Sequence, residues 1–317
     1  MRLKCVAVAG PTACGKSDVA IRLAAAFGGE IISADSRQVF RGMDIGSGKV
    51  SGKIDLSFKT SEDMPMCPFV SDGIRHWLID VAGPCDDFSA ADFQRLALMS
   101  IRDISSRGRN VFVAGGTGFF LRSLTDGLDF PEISVSAETR DRIRSMSDAD
   151  ALDMLLSMQP DAQDTIDIKN PRRVARALEL LMSGMPSLDC LRKKRDLGLD
   201  FLTLGITYPQ EVLRIRIEDR LERRFKAGMI EEIAGLLKSG VPRERLESFG
   251  LEYRWITKFV CGDMAFMDMR DKLFTEICRF AKRQMTWFRK YCNVVWIDNE
   301  EQAFRLVSDF LEAGDAN

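Results

Sequence analysis

The stretch "GPTACGKS", residues 10–17, constrains the fold of this chain more than any other. It follows the apolar run Cys5–Ala9 and precedes "SDVAIRLAAAF", whose apolar residues recur at helical spacing. A strand, a glycine-rich loop and a helix in that order form the setting in which G-x-x-x-x-G-K-[ST] binds phosphate. Gly10 and Gly15 let the backbone N–H groups of Thr12, Ala13, Cys14 and Gly15 converge on phosphate oxygens. The helix N-terminus adds partial positive charge, Lys16 pairs with the phosphates, and the Ser17 hydroxyl can ligate Mg²⁺. The loop holds a diphosphate or a triphosphate without saying whose. A nucleotide kinase or NTPase is its default owner, and "WLID", ending at Asp80, can supply the acid such an enzyme needs for Mg²⁺.

Short β-rich runs recur along the chain: "KCVAVA", "EIISA", "HWLIDV", "NVFVAGG", "LTLGITY" and "VVWID". Stretches of helical period separate several of them, so the pattern predicts a parallel sheet covered by helices. The strand signal disappears over residues 131–195, where "SAETRDRIRSM", "DADALDMLLSM" and "NPRRVARALELLMSG" read as capped helices. The expected architecture is an α/β core of the P-loop NTPase-like kind, residues 1–130 and 196–317, carrying an all-helical insertion, residues 131–195. Beyond the insertion, "PQEVLRIRIEDRLERRFKAGMIEEIAGLLKSG" and "MRDKLFTEICRFAKRQMTWFRK" read as long helices.

Ligands of open α/β sheets sit at the carboxyl ends of the strands. "SADSRQVFRGMDIGSGK", residues 33–49, starts at the second such end and places Asp35 beside the phosphates. "AGGTGFF", residues 114–120, places Thr117 at another. Asp35 serves equally well as a helix or turn cap, a common use of aspartate.

Composition narrows the class. Apolar residues make up 45% of the 317, charged residues 29%, and no run approaches the length a membrane helix needs. The apolar stretch at the start is too short for a signal peptide and reads as a core strand. Eight cysteines without a C-x-x-C pair, and a single histidine, His76, exclude a zinc finger and fit reduced cytoplasmic thiols. Net charge is -2, yet it is segregated. Residues 171–195 hold seven basic residues against two acidic ones and residues 276–290 five against one, whereas residues 141–170 hold seven acids against three bases. Such segregation makes basic surface for a polyanion, although solvated helix faces also vary.

Taken together, "GPTACGKS", "DSRQVFRGMDIGSGK", "HWLIDV", "FSAADF", "VAGGTGFFLRSL", "RRVARALE", "GLEYR" and "AKRQMTWFRK" resemble the tRNA isopentenyltransferase family, in order from residue 10 to 290. The chain departs from that pattern at Phe40 and Phe120, where tyrosine is usual, at Arg224, where methionine is frequent, at Cys278 in place of threonine, and in "GLEYR". The resemblance implies transfer of a dimethylallyl group from dimethylallyl diphosphate to N6 of the adenosine 3′ of the anticodon. The loop would then hold a leaving group, with Mg²⁺ as cofactor.

By the same resemblance Asp35 is the general base and Thr117 positions the amine or the diphosphate. Ser36, Arg37 and Gln38 read the adenine. From their spacing alone, Arg216 and Arg220 are four residues apart on one helical face from which they can approach the diphosphate, and either one reads equally well as a solvated helix arginine. Arg140, Arg172, Arg173, Arg176 and Arg283 contact the anticodon stem-loop of a tRNA. Trp287 and Phe288, with Lys282, Arg283 and Arg289 beside them, offer a base-stacking surface, but at helical spacing both read more readily as core residues. The enzyme is expected to be a cytoplasmic monomer with no membrane partner. Competing readings are a small-molecule or nucleotide kinase using Asp35 as base, an isopentenyltransferase acting on free AMP or ATP, and an RNA-binding adaptor. The basic insertion and the intact phosphate loop respectively disfavour the last two.

Overall fold

Cys5 to Ala9 are all buried, so the first strand is covered on both faces, as in the interior of a parallel sheet. The computed structural model describes residues 2–58 and 65–313, and the chain divides into two compact units, Met1–Thr125 with Gly198–Asn317, and Asp126–Leu197.

The first unit begins β1 (Leu3–Ala9), α1 (Lys16–Ala26), β2 (Gly29–Ser33), β3 (Lys53–Ile54), β4 (Phe69–Ser71), β5 (Ile74–Trp77), α2 (Ala90–Ser106), β6 (Asn110–Gly115) and α3 (Gly118–Thr125). The second unit holds α4 (Ala137–Arg144), α5 (Asp148–Met158), α6 (Ala162–Thr165) and α7 (Pro171–Met182). The chain then resumes the first unit with β7 (Leu199–Gly205), α8 (Gln210–Lys226), α9 (Met229–Lys238), α10 (Arg243–Ser248), α11 (Leu251–Val260), α12 (Phe266–Tyr291), β8 (Val295–Trp296) and α13 (Glu300–Glu312).

One eight-stranded sheet runs β3-β4-β5-β2-β6-β1-β7-β8, parallel from β5 to β8, with β3 and β4 added antiparallel at one edge. It is the P-loop NTPase-like α/β arrangement, a central sheet flanked by helices. Two details differ from the sequence reading. β6 lies between β1 and β2, so the strand carrying Asp35 is not beside the phosphate-loop strand; the strand carrying Thr117 separates them. The run "HWLIDV" keeps strand geometry only to Trp77, because Leu78 and Asp80 adopt positive φ values of 64° and 57°. The β3–β4 pair carries no strong alternating signal and was not expected.

The long helix expected over residues 209–240 is two. It breaks at Gly228, whose φ of 96° suits glycine, and α9 starts at Met229. Leu213, Ile217 and Leu221 of α8 pack with Met229 and Ile233 of α9 and Leu273 and Ile277 of α12 in one buried cluster. A second cluster joins α1 and α13 to the sheet through Leu23, Phe112 and Val307. Glu30, at the start of β2, is a buried hub: it accepts from Trp77 Nε1 at 2.8 Å and pairs with Arg107 and Arg75. Burial works against its charge, but these partners outweigh it and hold the carboxyl below its usual range. Phe40 and Phe120 are both in the core, Phe120 stacked on Phe93 at 4.3 Å, so a hydroxyl at either position would have to be buried.

In the second unit, Asn170 caps α7 with Pro171 at its first position, and Val174, Ala177 and Leu178 bury one face against Ile143 and Leu155. Each such leucine or isoleucine contributes about 2 kcal/mol on burial. Arg172, Arg173 and Arg176 lie on the opposite, exposed face, and Arg140 is exposed on α4.

Candidate active site

The phosphate loop joins β1 to α1 where glycine is required. Gly15 has a φ of 85°, and a Cβ on Gly10 would stand 2.5 Å from the Ile206 carbonyl oxygen and 2.6 Å from Cys14 Sγ. No side chain caps α1, so its first N–H groups remain without a capping partner. Two loop positions are already engaged. The Thr12 N–H donates to Gln284 Oε1 at 2.8 Å, and the Cys14 N–H donates to the Pro11 carbonyl at 3.4 Å. Cys14 is buried and inert to either site cavity.

Asp35 and Thr117 follow β2 and β6, at the carboxyl ends of adjacent strands. Asp35 Oδ1 accepts from the Arg37 N–H at 3.0 Å, an Asx-type contact that orients the carboxylate. Thr117 Oγ1 accepts from the Ser36 N–H at 3.0 Å and donates to Ser36 Oγ at 3.2 Å, while the Thr117 N–H donates to the Ala34 carbonyl at 3.2 Å. The two strand ends are thereby tied in register.

A cavity of about 280 Å³ brings together Thr12, Lys16, Asp35, Ser36, Arg37 and Thr117 with Arg220 and Arg283. Its apolar wall is Leu251, Ile277, Phe280 and Phe288. A second, polar cavity of about 670 Å³ is lined by Ala13, Gly15, Lys16, Ser17, Arg216 and Arg220. Lys16, Arg220 and Arg224 line both, so one small group of cations stands between the carboxylate side and the helix-N-terminal side. Gly10, Cys14 and Gln38 line neither.

The arginines of α8 reach the loop from outside it. Arg216 Nε donates to the Ala13 carbonyl at 2.8 Å, and Arg220 Nη2 donates to Thr12 Oγ1. Burial, and then the positive charge of Arg224, bring Arg220 down to about 9, so an anion beside it relieves the destabilised cation. Arg224 pairs with Glu252 at 3.1 Å, both largely buried, and donates to the Gly46 carbonyl at 3.3 Å. The departure at residue 224 and the acid of "GLEYR" thus form one ion pair.

Several residues singled out from the sequence have protein partners of their own in the folded chain. Gln38 accepts from Ser33 Oγ at 2.9 Å and donates to the Gly48 carbonyl at 3.1 Å, so its amide closes its own loop. Arg37 donates from Nε to the Phe249 carbonyl at 3.0 Å. Asp80 pairs with the buried Lys49 and lines neither cavity, which removes it as an acid for a metal at the phosphate loop. His76 is buried, with Nδ1 3.0 Å from the Ile74 carbonyl, and burial lowers its pKa. Phe288 is fully buried, while Trp287 is half-buried at the cavity wall, packed on Gly118. Arg173 pairs with Asp167 and Arg176 with Glu179.

Sequence reasoning missed Gln284 and Glu232, and met Arg224 and the Glu252 of "GLEYR" only as departures from the family pattern. Gln284 Nε2 also donates to the Gly116 carbonyl at 2.8 Å, so one buried amide bridges two loops. The only available signal was a glutamine on the apolar face of an amphipathic helix.

Among the described residues no three His, Cys, Asp or Glu side chains form a metal-ligand group. A Mg²⁺ ion fits the phosphate loop nonetheless, since this ion is commonly held by one hydroxyl or carboxylate together with substrate phosphates and water. Ser17, half-buried in the first turn of α1 on the wall of the polar cavity, is the hydroxyl in question.

Fold and site together define a P-loop-type α/β fold with a carboxylate, Asp35, in the cavity next to the phosphate loop. The chain belongs to the IPP transferase family: the family described as IPP transferase matches residues 38–291, and that described as isopentenyl transferase matches residues 3–56. It is 37% identical over 302 residues to tRNA dimethylallyltransferase 2 of Pelobacter propionicus, covering 94% of this chain and 90% of the relative. It is 38% identical over 291 residues to tRNA dimethylallyltransferase 1 of Geotalea uraniireducens, covering 92% and 89%. The crystal structure of tRNA isopentenylpyrophosphate transferase from Bacillus halodurans superposes with a TM-score of 0.68 at 32% identity, covering 98% of this chain and 97% of that one. A eukaryotic dimethylallyltransferase acting on tRNA shares the fold, with a TM-score of 0.78 at 22% identity over 98% and 80% of the two chains.

Proposed function

We propose that this protein transfers a dimethylallyl group from dimethylallyl diphosphate to N6 of the adenosine 3′ of the anticodon in tRNA, releasing diphosphate. The observation that carries this reading is the single cavity that joins Lys16 of the phosphate loop to Asp35 and Thr117. In the transfer, the bond from the allylic C1 to the diphosphate oxygen breaks and a C1–N6 bond forms. Negative charge grows on the departing diphosphate, where Lys16, Arg216, Arg220 and the uncapped N–H groups of α1 stabilise it. Mg²⁺ held by Ser17 and the diphosphate supplies further charge neutralisation when bound.

Adenine N6 is a weak nucleophile because its lone pair is delocalised, and it must lose a proton as it attacks. Asp35 takes that proton, a role typically worth 10²–10⁴-fold. Thr117, fixed by Ser36 and Ala34, orients the amine. Ser36 and Arg37 lie on the same wall and border the purine. The apolar wall suits a five-carbon tail and limits water near the allylic carbon. A base stacked within an anticodon loop has to be extruded to reach this cavity, at a cost of a few kcal/mol.

The basic face of α7, with Arg172, Arg173 and Arg176, and Arg140 on α4 contact anticodon-stem phosphates, as does Arg283 beside the cavity. The enzyme acts as a monomer in the cytoplasm, with its tRNA. Among the described residues no helix is long and apolar enough to cross a membrane. Incubation with dimethylallyl diphosphate, Mg²⁺ and total tRNA, followed by nucleoside mass analysis, tests the reading. An adenosine heavier by one dimethylallyl group is expected, whereas ATP consumption with a phosphorylated product would establish the kinase instead.

A further inference from the structure

One turn in the wall of both cavities is held by groups that have no part in the chemistry above. The backbone N–H groups of Asp44, Ile45 and Gly46 all point at the carboxylate of Glu232 on α9. Glu232 Oε2 accepts from Asp44 at 2.9 Å and Ile45 at 2.6 Å, and Oε1 accepts from Gly46 at 3.0 Å and from the Tyr253 hydroxyl at 3.2 Å. Successive N–H groups in a turn make a concavity for an anion. Here the protein fills it with its own carboxylate, and charge-assisted bonds of this kind are about twice as strong as neutral ones.

The other side of the turn is closed as well. The Gly46 carbonyl accepts from Arg224, and a Cβ on Gly46 would meet the Tyr253 ring at 2.8 Å. Gly46 and Ser47 line the cavity that holds Asp35, while Gly48 and Lys49, the next two residues, line the cavity that holds Ser17. The turn is therefore a wall common to both. Glu232 lies in the first turn of α9, which starts after the break at Gly228.

We propose that Glu232 is a positioning residue: its carboxylate fixes the Gly46 turn as a wall shared by the cavity of the allylic diphosphate and the cavity of the target adenine. The proposal rests on the dimethylallyl-transfer reading. Its physical content is that a reacting pair must be held closely, and a misplacement of about 1 Å costs roughly 100-fold in rate. Releasing the turn should therefore impair transfer without impairing retention of the diphosphate, whose loop, Lys16, Arg216 and Arg220 are anchored elsewhere.

Glu232→Gln tests this with nearly unchanged volume. The amide has one acceptor oxygen, so if it keeps Asp44 and Ile45, the Gly46 N–H faces another donor. Tyr253→Phe removes only the phenol's bond to the same carboxylate and serves as comparator. The measurements are amide exchange at residues 44–46, melting temperature, donor affinity by calorimetry, and kcat and KM for tRNA. Glu232→Gln is expected to exchange faster at 44–46, to lose roughly 10-fold or more in kcat, and to keep donor affinity within about twofold. Tyr253→Phe is expected to keep kcat within about twofold at a comparable melting temperature. If the glutamine variant does not fold, Glu232→Asp, which keeps the charge but shortens the reach, is read by the same split.

Wild-type kcat in Glu232→Gln, or donor affinity and kcat falling together in step with Tyr253→Phe, overturns the proposal. A wild-type protein that modifies no tRNA defeats the transferase reading instead. Exchange at 44–46 needs no substrate and reports separately whether Glu232 holds the turn.

Discussion

Gln284, in the middle of α12, accepts the backbone N–H of Thr12 at 2.8 Å, joining the last long helix of the fold to its first loop. The same amide donates to Gly116, one residue before Thr117. One side chain thereby bridges the phosphate loop and the turn that carries Thr117. Gln284→Leu leaves a donor and an acceptor unpaired, which costs roughly 2–4 kcal/mol. The expected result is a lowered melting temperature together with weaker binding of dimethylallyl diphosphate by calorimetry. Donor affinity equal to wild type would show that the loop keeps its shape without this bridge.

Asp35 combines an orienting contact with its proposed role as base, and the two can be separated. Asp35→Asn keeps an oxygen for the Arg37 N–H but removes the charge. Single-turnover transfer should fall about 10²–10⁴-fold with donor and tRNA affinities unchanged. Retention of the wild-type rate assigns proton removal to another group.

The exposed arginines of α7 are expected to act through phosphate charge. Replacing Arg173 and Arg176 together by alanine should weaken tRNA binding across all sequences and reduce the salt slope of log Kd by about 1–2. Both are already paired with carboxylates on the surface, so their removal should change stability little. An unchanged slope places the RNA surface elsewhere.

Glu30 gives a stability prediction with a defined pH sign. Its folded-state pKa is below the usual 4.5, so its contribution is present above that value and is lost as pH falls through the folded pKa. Glu30→Gln leaves Arg107 and Arg75 facing a neutral amide and should cost roughly 3 kcal/mol near neutral pH, less than a fully buried pair because both arginines are partly exposed. Thermal denaturation as a function of pH checks it. The gap between variant and wild type should narrow as the pH falls below the ordinary carboxylate range and through the lowered folded-state pKa.

The phosphate loop, Asp35 and Thr117 were legible because each is a local signal: a glycine spacing, or a polar residue at the end of an apolar strand. Their convergence follows from a parallel sheet, whose strands all deliver their carboxyl ends to one edge. That Gln38 bonds Ser33 and Gly48 was not legible, because a local stretch does not show which distant groups meet its amide. The break at Gly228 was missed because "KAG" within a long charged helix is a weak stop signal.

The amino-acid order therefore set the glycine-rich loop, the alternation that builds the sheet, and the carboxylate at its edge, since these depend on spacings of a few residues. Folding assigned the use of every polar atom around that loop. Thr12 and Gln284 are 272 positions apart, and Asp44 and Glu232 are 188 apart. Hydrogen bonds are satisfied by whatever distant group the packing of helices brings within about 3 Å, and no local pattern encodes that distance.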